Sequence, residues 1–331
     1  MPDRFPADFP LMVCPADHAP LAEDAAGDLR CAQGHAYPSR LGIPRLLDSG
    51  NNYADAFGEQ WKKFRTTQLD SYSKTSISRD RLQRCLGAAL WQRLQQPGVL
   101  QVLETGCGAG RFTEVLLGLP GVSLTSTDLS AAVEPNQVNC PQSERHRIIQ
   151  CDINALPFKP YQYDVVVCLG VVQHTRSPEQ TILSLYEQVR PGGWLVLDHY
   201  APSLSRYTKL SMLLLRPVLK RLPPRVGIAA TEKITNLFYP LHRAVRGHRL
   251  LQALLSRVSP VATYFRTLPE LDDRLQYEWA LLDTHDGLTD YYKHLRNEAQ
   301  LRGTLLGLGA QELWTARGGN GVELRCRRPP A

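Results

Sequence analysis

Two long-range features are absent from this 331-residue sequence. No apolar run is long enough to cross a bilayer, and there is no internal repeat or low-complexity tract. The first nine residues carry Asp3, Arg4 and Asp8 among prolines and lack the apolar stretch that a secretory signal requires. We therefore expect neither a transmembrane protein nor a repeat array, and we expect the chain to stay in the cytoplasm.

Cysteine is present but sparse. The eight cysteines are scattered and lack the density of a disulfide-bonded secreted domain. The composition, 43% hydrophobic and 21% charged, is that of an ordinary globular protein whose length allows a substantial core. Reduced thiols or a metal site are therefore better interpretations than disulfides. Only Cys14 and Cys31 have neighbours suited to a metal.

Acidic residues are nearly missing from one segment. Residues 201–260 contain eleven lysines or arginines and one acid, Glu232, a net charge of +10 in a chain of net charge +6. Three interpretations stay open: a solvated face of lid helices, a surface for anionic lipid and a surface for nucleic acid. Residues 212–221 mix leucine with cations, as interfacial helices do. Nucleic acid is less favoured, because few aromatic residues are interleaved with the charges.

From residue 99 onward, short apolar runs alternate with helical segments, which is typical of βαβ units. Strands are predicted over 99–104, 123–128, 147–152, 163–169 and 194–200, with helices over 111–119, 131–139 and 178–189. The alternation stops over 201–290 and resumes with a helix over 291–306 and strands over 312–315 and 321–327. The sequence thus predicts an α/β fold with a doubly wound, Rossmann-like sheet and a helical insertion before the last strands.

A glycine-rich turn follows the first of these strands. In the run Glu104-Thr105-Gly106-Cys107-Gly108-Ala109-Gly110, alternate glycines let the backbone pass close under a ligand, and the next helix offers unpaired N–H groups. Nicotinamide enzymes space their glycines as G-x-G-x-x-G, whereas here they run G-x-G-x-G with an acid two residues ahead. The run resembles motif I of class I S-adenosylmethionine-dependent methyltransferases.

The resemblance continues from strand end to strand end. Asp128 matches the acid that binds both ribose hydroxyls in this family, as a carboxylate can. Asp152 and Ile153 match the positions that contact the adenine, and 169–174 resembles the turn beneath the methionine half. The resemblance therefore implies S-adenosylmethionine as cofactor. It assigns the site to Glu104, Gly106, Cys107, Gly108, Gly110, Asp128, Leu129, Asp152, Ile153, Leu169 and Gly170.

A second resemblance lies at the front of the chain. Cys14-Pro15-Ala16-Asp17-His18 and Cys31-Ala32-Gln33-Gly34-His35 are similar to the small zinc-binding module of the methyltransferase activator Trm112. Asp17 stands where that pattern has a second cysteine. Zinc accepts mixed sulfur and imidazole ligands, so Cys14, His18, Cys31 and His35 are the predicted structural site. The alternative is a metal-free remnant that keeps its shape by packing.

Candidate bases for the methyl acceptor come from the histidines near strand ends. His174 follows the fourth strand and His199 ends the fifth; His285, with Asp283 or Asp286, is a looser candidate. The segments 57–72 and 279–286 resemble parts of a bacterial methyltransferase subgroup that flank the cofactor domain. They are expected either to cover the site or to pack as ordinary surface.

The predicted organisation has five parts. These are a zinc-ribbon-like module over 1–50, helices over 51–96, the cofactor domain over 97–200, a helical lid over 201–290 and the end of the sheet over 291–331. The predicted function is methylation of a small-molecule acceptor. RNA methylation and a non-catalytic methyltransferase-like partner protein are the alternatives, as is a sheet of this topology whose site is dead or binds another nucleotide.

Overall fold

Strands and helices alternate through the middle of the chain, as the sequence predicts. The computed structural model describes residues 9–47, 53–203 and 209–331. Its strands are β1 Leu21–Glu23, β2 Leu29–Cys31, β3 Ala36–Tyr37, β4 Ser39–Arg40, β5 Ile43–Leu46, β6 Leu100–Thr105, β7 Val122–Asp128, β8 His146–Cys151, β9 Tyr163–Cys168, β10 Val189–Tyr200, β11 Gln311–Gly318 and β12 Gly321–Arg327.

The helices fall before, between and after these strands. They are α1 Asp55–Lys63, α2 Asp70–Ser73, α3 Ile77–Gln95, α4 Arg111–Leu117, α5 Val133–Asn139, α6 Pro178–Gln188, α7 Leu210–Leu219, α8 Pro224–Ala244, α9 Arg249–Val258, α10 Asp273–Thr289 and α11 Glu298–Gly307, with a short 3₁₀ turn at Val172–His174. Within the part of the chain described, no helix has both the length and the apolar character needed to cross a membrane.

The central sheet has the order β11-β12-β10-β9-β6-β7-β8-β5-β4. Strands β5 to β10 pair in parallel, whereas β12 runs antiparallel to both β10 and β11. From β6 the chain continues outward through β7 and β8, and then crosses to β9 on the other side of β6. Folds of this kind bind ligands where the order reverses, beyond the carboxyl ends of the strands. The predicted doubly wound sheet is confirmed.

Hydrophobic clusters cover both faces of the sheet. Successive strand residues point to opposite faces, so Val102 packs with α3 and α4, and Leu103 lies in the cluster on the other side with α6. Every residue of β8 and β9 is buried. Two buried faces explain why consecutive apolar residues occur in both strands, at Ile148 and Ile149 and from Val165 to Cys168, in place of an alternating pattern.

Two predicted boundaries differ from the structure. The helix predicted over 291–306 begins only at Glu298, because Asn297 and Gln300 form a capping box. The strand predicted from Trp194 begins at Val189, with a shift in register between these two residues where Pro191, Gly192 and Gly193 interrupt regular pairing. In both places the hydrophobic period predicts the right type of element, whereas local capping and turn chemistry determine where the element begins.

The front segment contributes to the central sheet. Strands β1 to β3 form a small sheet of their own, but β5 pairs in parallel with β8. Arg45 on β5 fixes this edge, since it donates to Gln150 Oε1 at 2.8 Å and lies 3.2 Å from Glu134. The segment predicted as a separate module over 1–50 therefore supplies an edge strand.

The predicted helical insertion is present over α7 to α10. Helix α10 packs against α8, α7 and α1, so the insertion lies against the helix that precedes the sheet. Both groups of helices stand beside the carboxyl ends of the strands, where the cavity described next is found.

Candidate functional site

The glycine-rich turn after β6 has a backbone that only glycine adopts easily. Gly106, Gly108 and Gly110 all have positive φ, at +69°, +51° and +102°. A Cβ on Gly106 would lie 2.2 Å from a methyl carbon of Val171, so no side chain fits there. The Gly108 N–H donates to Asp128 Oδ2 at 2.9 Å and ties the turn to the end of β7.

A cavity of about 1170 Å³ opens over this turn. It exceeds the usual 300–1,000 Å³ of small-molecule sites, so it has room for a nucleotide cofactor together with a second molecule. Eight of the eleven predicted cofactor residues line it: Gly106, Cys107, Gly108, Asp128, Leu129, Ile153, Leu169 and Gly170.

The other three predicted cofactor residues, Glu104, Gly110 and Asp152, do not line the cavity. Glu104 is buried beneath the turn, where Thr113 and Ser126 hydroxyls donate to its Oε2 at 2.6 and 3.0 Å. Gly110 caps α4, and Asp152 accepts from the Asn154 N–H at the end of β8. None of these three residues contributes to the cavity wall, where a bound cofactor would make its contacts.

Glu104 nevertheless retains an unused acceptor. Its Oε1 is buried and has no hydrogen-bond partner among the described residues. Burial raises the pKa of this carboxyl to about 7, against the opposing effect of the two hydroxyl donors. A buried acceptor without a donor costs free energy, so the site favours a ligand that brings an N–H or O–H to it.

Asp128 is held in one orientation. Its Oδ1 accepts from the Ser130 N–H at 2.8 Å and hydroxyl at 2.7 Å, and its Oδ2 accepts from Gly108. Burial raises the pKa of Asp128, whereas these donors lower it. An ionised carboxylate offers about four acceptor positions, so one remains for a ligand hydroxyl.

Helices α1 and α10 cover the turn, as one interpretation of 57–72 and 279–286 expects. The Trp61 indole lies 3.1 Å from where a Cβ on Gly108 would be. Phe57, Trp279 and Asp283 also line the cavity. The Trp279 Nε1–H donates to the Thr67 carbonyl at 3.0 Å, which joins the two segments.

A buried acid, Asp283, and a buried cation, Arg111, both line the cavity. The Tyr264 hydroxyl donates to Asp283, and burial raises the pKa of Asp283 to about 6. Burial lowers the pKa of Arg111 to about 10; its guanidinium donates to the Ser78 hydroxyl at 3.0 Å and lies over the Trp279 ring. Tyr264 carried no sequence signal, because it lies in an irregular stretch without a motif.

His174 is the predicted base that reaches the cavity. Its Nδ1 lies 3.2 Å from the Tyr292 carbonyl oxygen and 3.2 Å from Asp290 Oδ2. Burial alone would lower the pKa of His174, but the hydrogen bond to Asp290 and the charges of Asp286 and Asp290 outweigh it, so the pKa is raised. Two acceptors at Nδ1 favour a proton there, which leaves Nε2 as the basic atom of the neutral ring.

Asp290 is a residue that the sequence reasoning missed. Arg216 and Lys293 contact it at 2.8 and 2.9 Å, and these cations and His174 hold its pKa well below the usual range despite burial. It follows α10 and is 116 positions away from His174 in the sequence. No local pattern connects the two residues, so only the packing of the insertion reveals the pair.

The other candidate histidines do not reach the cavity. His199 is fully buried, its Nδ1 lies 2.9 Å from the Tyr200 carbonyl oxygen, and burial lowers its pKa to about 4. His285 lies between the hydroxyls of Thr231 and Thr289, and burial likewise lowers its pKa to about 4. Neither lines the cavity. The prediction of His199 as a catalytic residue is therefore corrected: its β10 position points it into the interior.

The front segment gathers a cluster of ligand-type atoms. The cluster consists of Cys14, Asp17, Cys31 and His35, whose donor atoms all lie within 4.8 Å of one another. His35 Nδ1 is 3.0 Å from Asp17 Oδ2 and 3.3 Å from Cys31 Sγ. His18, which was predicted as a ligand, is exposed at the end of a tight turn with φ +58°. The turn directs Asp17 instead of His18 towards the two sulfurs.

Comparison with known proteins matches the central part of the chain. A family model described as "Methyltransferase domain" matches residues 103–197. Malonyl-[acyl-carrier protein] O-methyltransferase of Paenibacillus is 35% identical over 31% of this chain and 40% of its own length. Ubiquinone biosynthesis O-methyltransferase of Pseudomonas savastanoi is 34% identical over 28% of this chain and 41% of its own length.

The chain thus spans about two fifths of the length of these curated relatives. Among solved structures, magnesium protoporphyrin IX methyltransferase of Synechocystis superposes with a TM-score of 0.44 and 16% identity, covering 83% of this chain and 96% of that one. The family match includes the glycine turn and the ends of β7, β8 and β9. Residues 103–197 are thus similar to a methyltransferase domain.

Proposed function

We propose that this chain binds S-adenosylmethionine and transfers its methyl group to a small-molecule acceptor. One observation carries the proposal: the glycine turn and Asp128 form a fixed wall of a cavity large enough for two molecules. The cavity lies beyond the carboxyl ends of the parallel strands, and its glycine turn and Asp128 lie inside the segment that matches the methyltransferase domain. The cofactor supplies an electrophilic methyl group on a sulfonium, so the protein has mainly to position an acceptor.

The residues present suit the parts of this cofactor. The remaining acceptor position of Asp128 is proposed to bind a ribose hydroxyl, with Leu129 and Ile153 beside the adenine. The backbone of Gly106 to Gly108 and of Gly170 is proposed to contact the methionine half. The unpartnered Oε1 of Glu104 suits the amino group of that half, directly or through a water molecule.

His174 is proposed as the base that takes a proton from the acceptor. Asp290 and the Tyr292 carbonyl hold its Nδ1, so Nε2 can accept a proton while Asp290 stabilises the resulting cation. The two O-methyltransferases named above support oxygen as the methylated atom. An acidic hydroxyl or carboxyl acceptor fits a base of this kind.

The cluster in the front segment is proposed to hold a structural zinc ion. Two sulfurs, one imidazole nitrogen and one carboxylate oxygen make a four-ligand set that zinc accepts. With four protein ligands, no coordination position remains for a substrate. The ion would therefore stabilise the small sheet β1–β3 and take no part in methyl transfer.

Calorimetry on the purified chain tests the proposal. We expect S-adenosylmethionine and its demethylated product to bind in the micromolar range or tighter, and NAD to give no heat. A panel of phenols and carboxylic acids, supplied with methyl-labelled cofactor, then tests transfer. Binding of NAD in place of S-adenosylmethionine would overturn the cofactor assignment, whereas transfer of label to RNA alone would overturn the small-molecule acceptor.

A further inference from the structure

Helix α9 has its apolar side turned to solvent. Leu250, Leu254 and Val258 follow one another at intervals of four residues and are 81%, 66% and 64% exposed. Gln252 lies on the opposite side, buried, where it bonds His242 Nδ1 at 3.1 Å and Thr263 Oγ1 at 3.0 Å. A surface helix normally buries its leucines and exposes its amides.

Helix α7 packs against α9 and extends the same surface. Its Leu213, Leu214 and Val218 are each more than half exposed. Among the described residues, ten of the seventeen large hydrophobic side chains that are exposed lie between positions 213 and 258. We call Leu213, Leu214, Val218, Leu250, Leu254 and Val258 the α7/α9 face. A contiguous exposed apolar surface of this kind marks a binding site.

Cations predominate in the segment that carries the α7/α9 face, where acids from other parts of the chain pair with Arg216, Arg225, Arg243 and Arg246. Residues 201–260 carry a net charge of +10, and their one acid, Glu232, is paired with Lys63. Arg249 and Arg257 are exposed on α9 itself, and Arg221 is exposed just after α7. Leucines surrounded by cations match a surface that is apolar inside and negative outside, which is the character of a bilayer containing anionic lipid.

We propose that the α7/α9 face docks on the surface of an anionic lipid bilayer. The leucines enter the boundary between headgroups and acyl chains, and the surrounding arginines and lysines contact the lipid phosphates. Nucleic acid would satisfy the charges but leave the exposed leucines in water. A second copy of this chain would bury the leucines but bring two positive surfaces together.

The α7/α9 face borders the cavity. Leu213 belongs to both the face and the cavity wall, and the exposed Pro217 of α7 and Arg257 of α9 also line the cavity. An amphiphilic acceptor dissolved in the bilayer would therefore enter beside docked leucines. This consequence rests on the proposed methyl transfer, whereas docking itself does not.

Vesicle sedimentation tests docking without any acceptor. The full chain is mixed with vesicles of phosphatidylcholine containing 30% phosphatidylglycerol, or of phosphatidylcholine alone, at about 0.1 M and 1 M salt, between which the screening length falls from about 10 to about 3 Å. We expect the chain to pellet with the anionic vesicles at low salt and at least tenfold more weakly with the neutral ones. Raising the salt should release it.

Two double variants, each with a control, separate the leucines from the charges. Leu250→Ser with Leu254→Ser should weaken binding to anionic vesicles at least tenfold, whereas Leu306→Ser, at a similarly exposed leucine on α11, should change nothing. Arg221→Gln with Arg249→Gln should weaken binding, with Lys159→Gln as its control at an exposed lysine outside the insertion. Calorimetric affinity for S-adenosylmethionine should be unchanged in all of them, so that loss of docking and loss of the cofactor site are told apart.

Several outcomes would overturn the proposal. These are failure of the wild-type chain to pellet with anionic vesicles, equal binding to neutral ones, and normal binding by the double-serine variant. Retention of an RNA ladder without vesicle binding would assign the charges to nucleic acid. A dimer in light scattering that dissociates in the double-serine variant, again without vesicle binding, would assign the leucines to a second copy.

Discussion

Asp128→Asn separates the proposed cofactor contact from the structural role of this carboxylate. The substitution keeps the shape but replaces one acceptor oxygen with an NH₂ group, which would face either the Gly108 N–H or the Ser130 donors. One charge-assisted hydrogen bond is lost, worth about 1.5–3 kcal/mol. The remaining acceptor position loses its negative charge at the same time. We therefore expect the Kd for S-adenosylmethionine to rise by roughly ten- to a hundredfold.

Asp164→Asn is the matched control for this variant. Asp164 is also buried at a strand end, where it accepts from the Gln101 N–H at 2.9 Å and pairs with Arg190, but it lies at the amino end of β9, away from the cavity. Both variants should unfold at lower temperature, and only Asp128→Asn should weaken cofactor binding by isothermal calorimetry. Equal affinities in the two variants would refute the ribose assignment.

Three further predictions concern the base, the turn and the metal cluster. His174→Gln should lower kcat at least about a hundredfold with an unchanged cofactor Kd. Because the base must be neutral and the pKa of His174 is raised, the wild-type activity should begin to fall on the acid side from above pH 6.5. Asp290→Asn should move this limb of the pH–rate profile to lower pH. Gly106→Ala should cost about 2 kcal/mol or more in urea unfolding, from left-handed strain and contact with Val171, whereas Gly303→Ala, which has nothing near its Cβ, should stabilise the chain by about 0.5–1 kcal/mol. Elemental analysis should find about one zinc per wild-type chain, none in Asp17→Ala and a full complement in His18→Ala, and retention of zinc by Asp17→Ala would contradict the cluster as assigned.

The glycine-rich wall of the cavity could be predicted from the sequence because its parts are local. A strand of apolar residues, a turn that needs positive φ and a helix start lie within a dozen residues, and each has its own sequence signal. The acids at strand ends follow once the strands are placed, since parallel strands bring their carboxyl ends to one edge. Glu104 shows the limit of such reasoning: its position was predicted, but its burial beneath the turn depends on Thr113 and Ser126.

The structure brings together three of the four predicted zinc ligands, with Asp17 in place of His18. The two cysteines and His35 are spaced as in the zinc-binding module, but the choice between Asp17 and His18 depends on one backbone dihedral angle. His18 takes φ +58°, and its N–H closes the turn on the Cys14 carbonyl, which leaves its side chain exposed. Adjacent residues in a tight turn point in different directions, so sequence spacing alone could not decide between them.

The acceptor side of the cavity could not be predicted because it is assembled from the insertion. His174 follows β9, but the groups that set its protonation come from elsewhere in the chain: Arg216 from α7, and Asp290 and Lys293 from the stretch between α10 and α11. Within residues 201–290 the apolar period indicates helices without saying which side faces the sheet, and α9 faces outward with its leucines. The sequence of α9 has a period that fits either orientation of the helix, with the leucines buried or with Gln252 buried. The outward leucines are informative for this reason: the buried side of α9 is occupied by Gln252, which bonds His242 and Thr263, although the apolar period would equally allow leucines there.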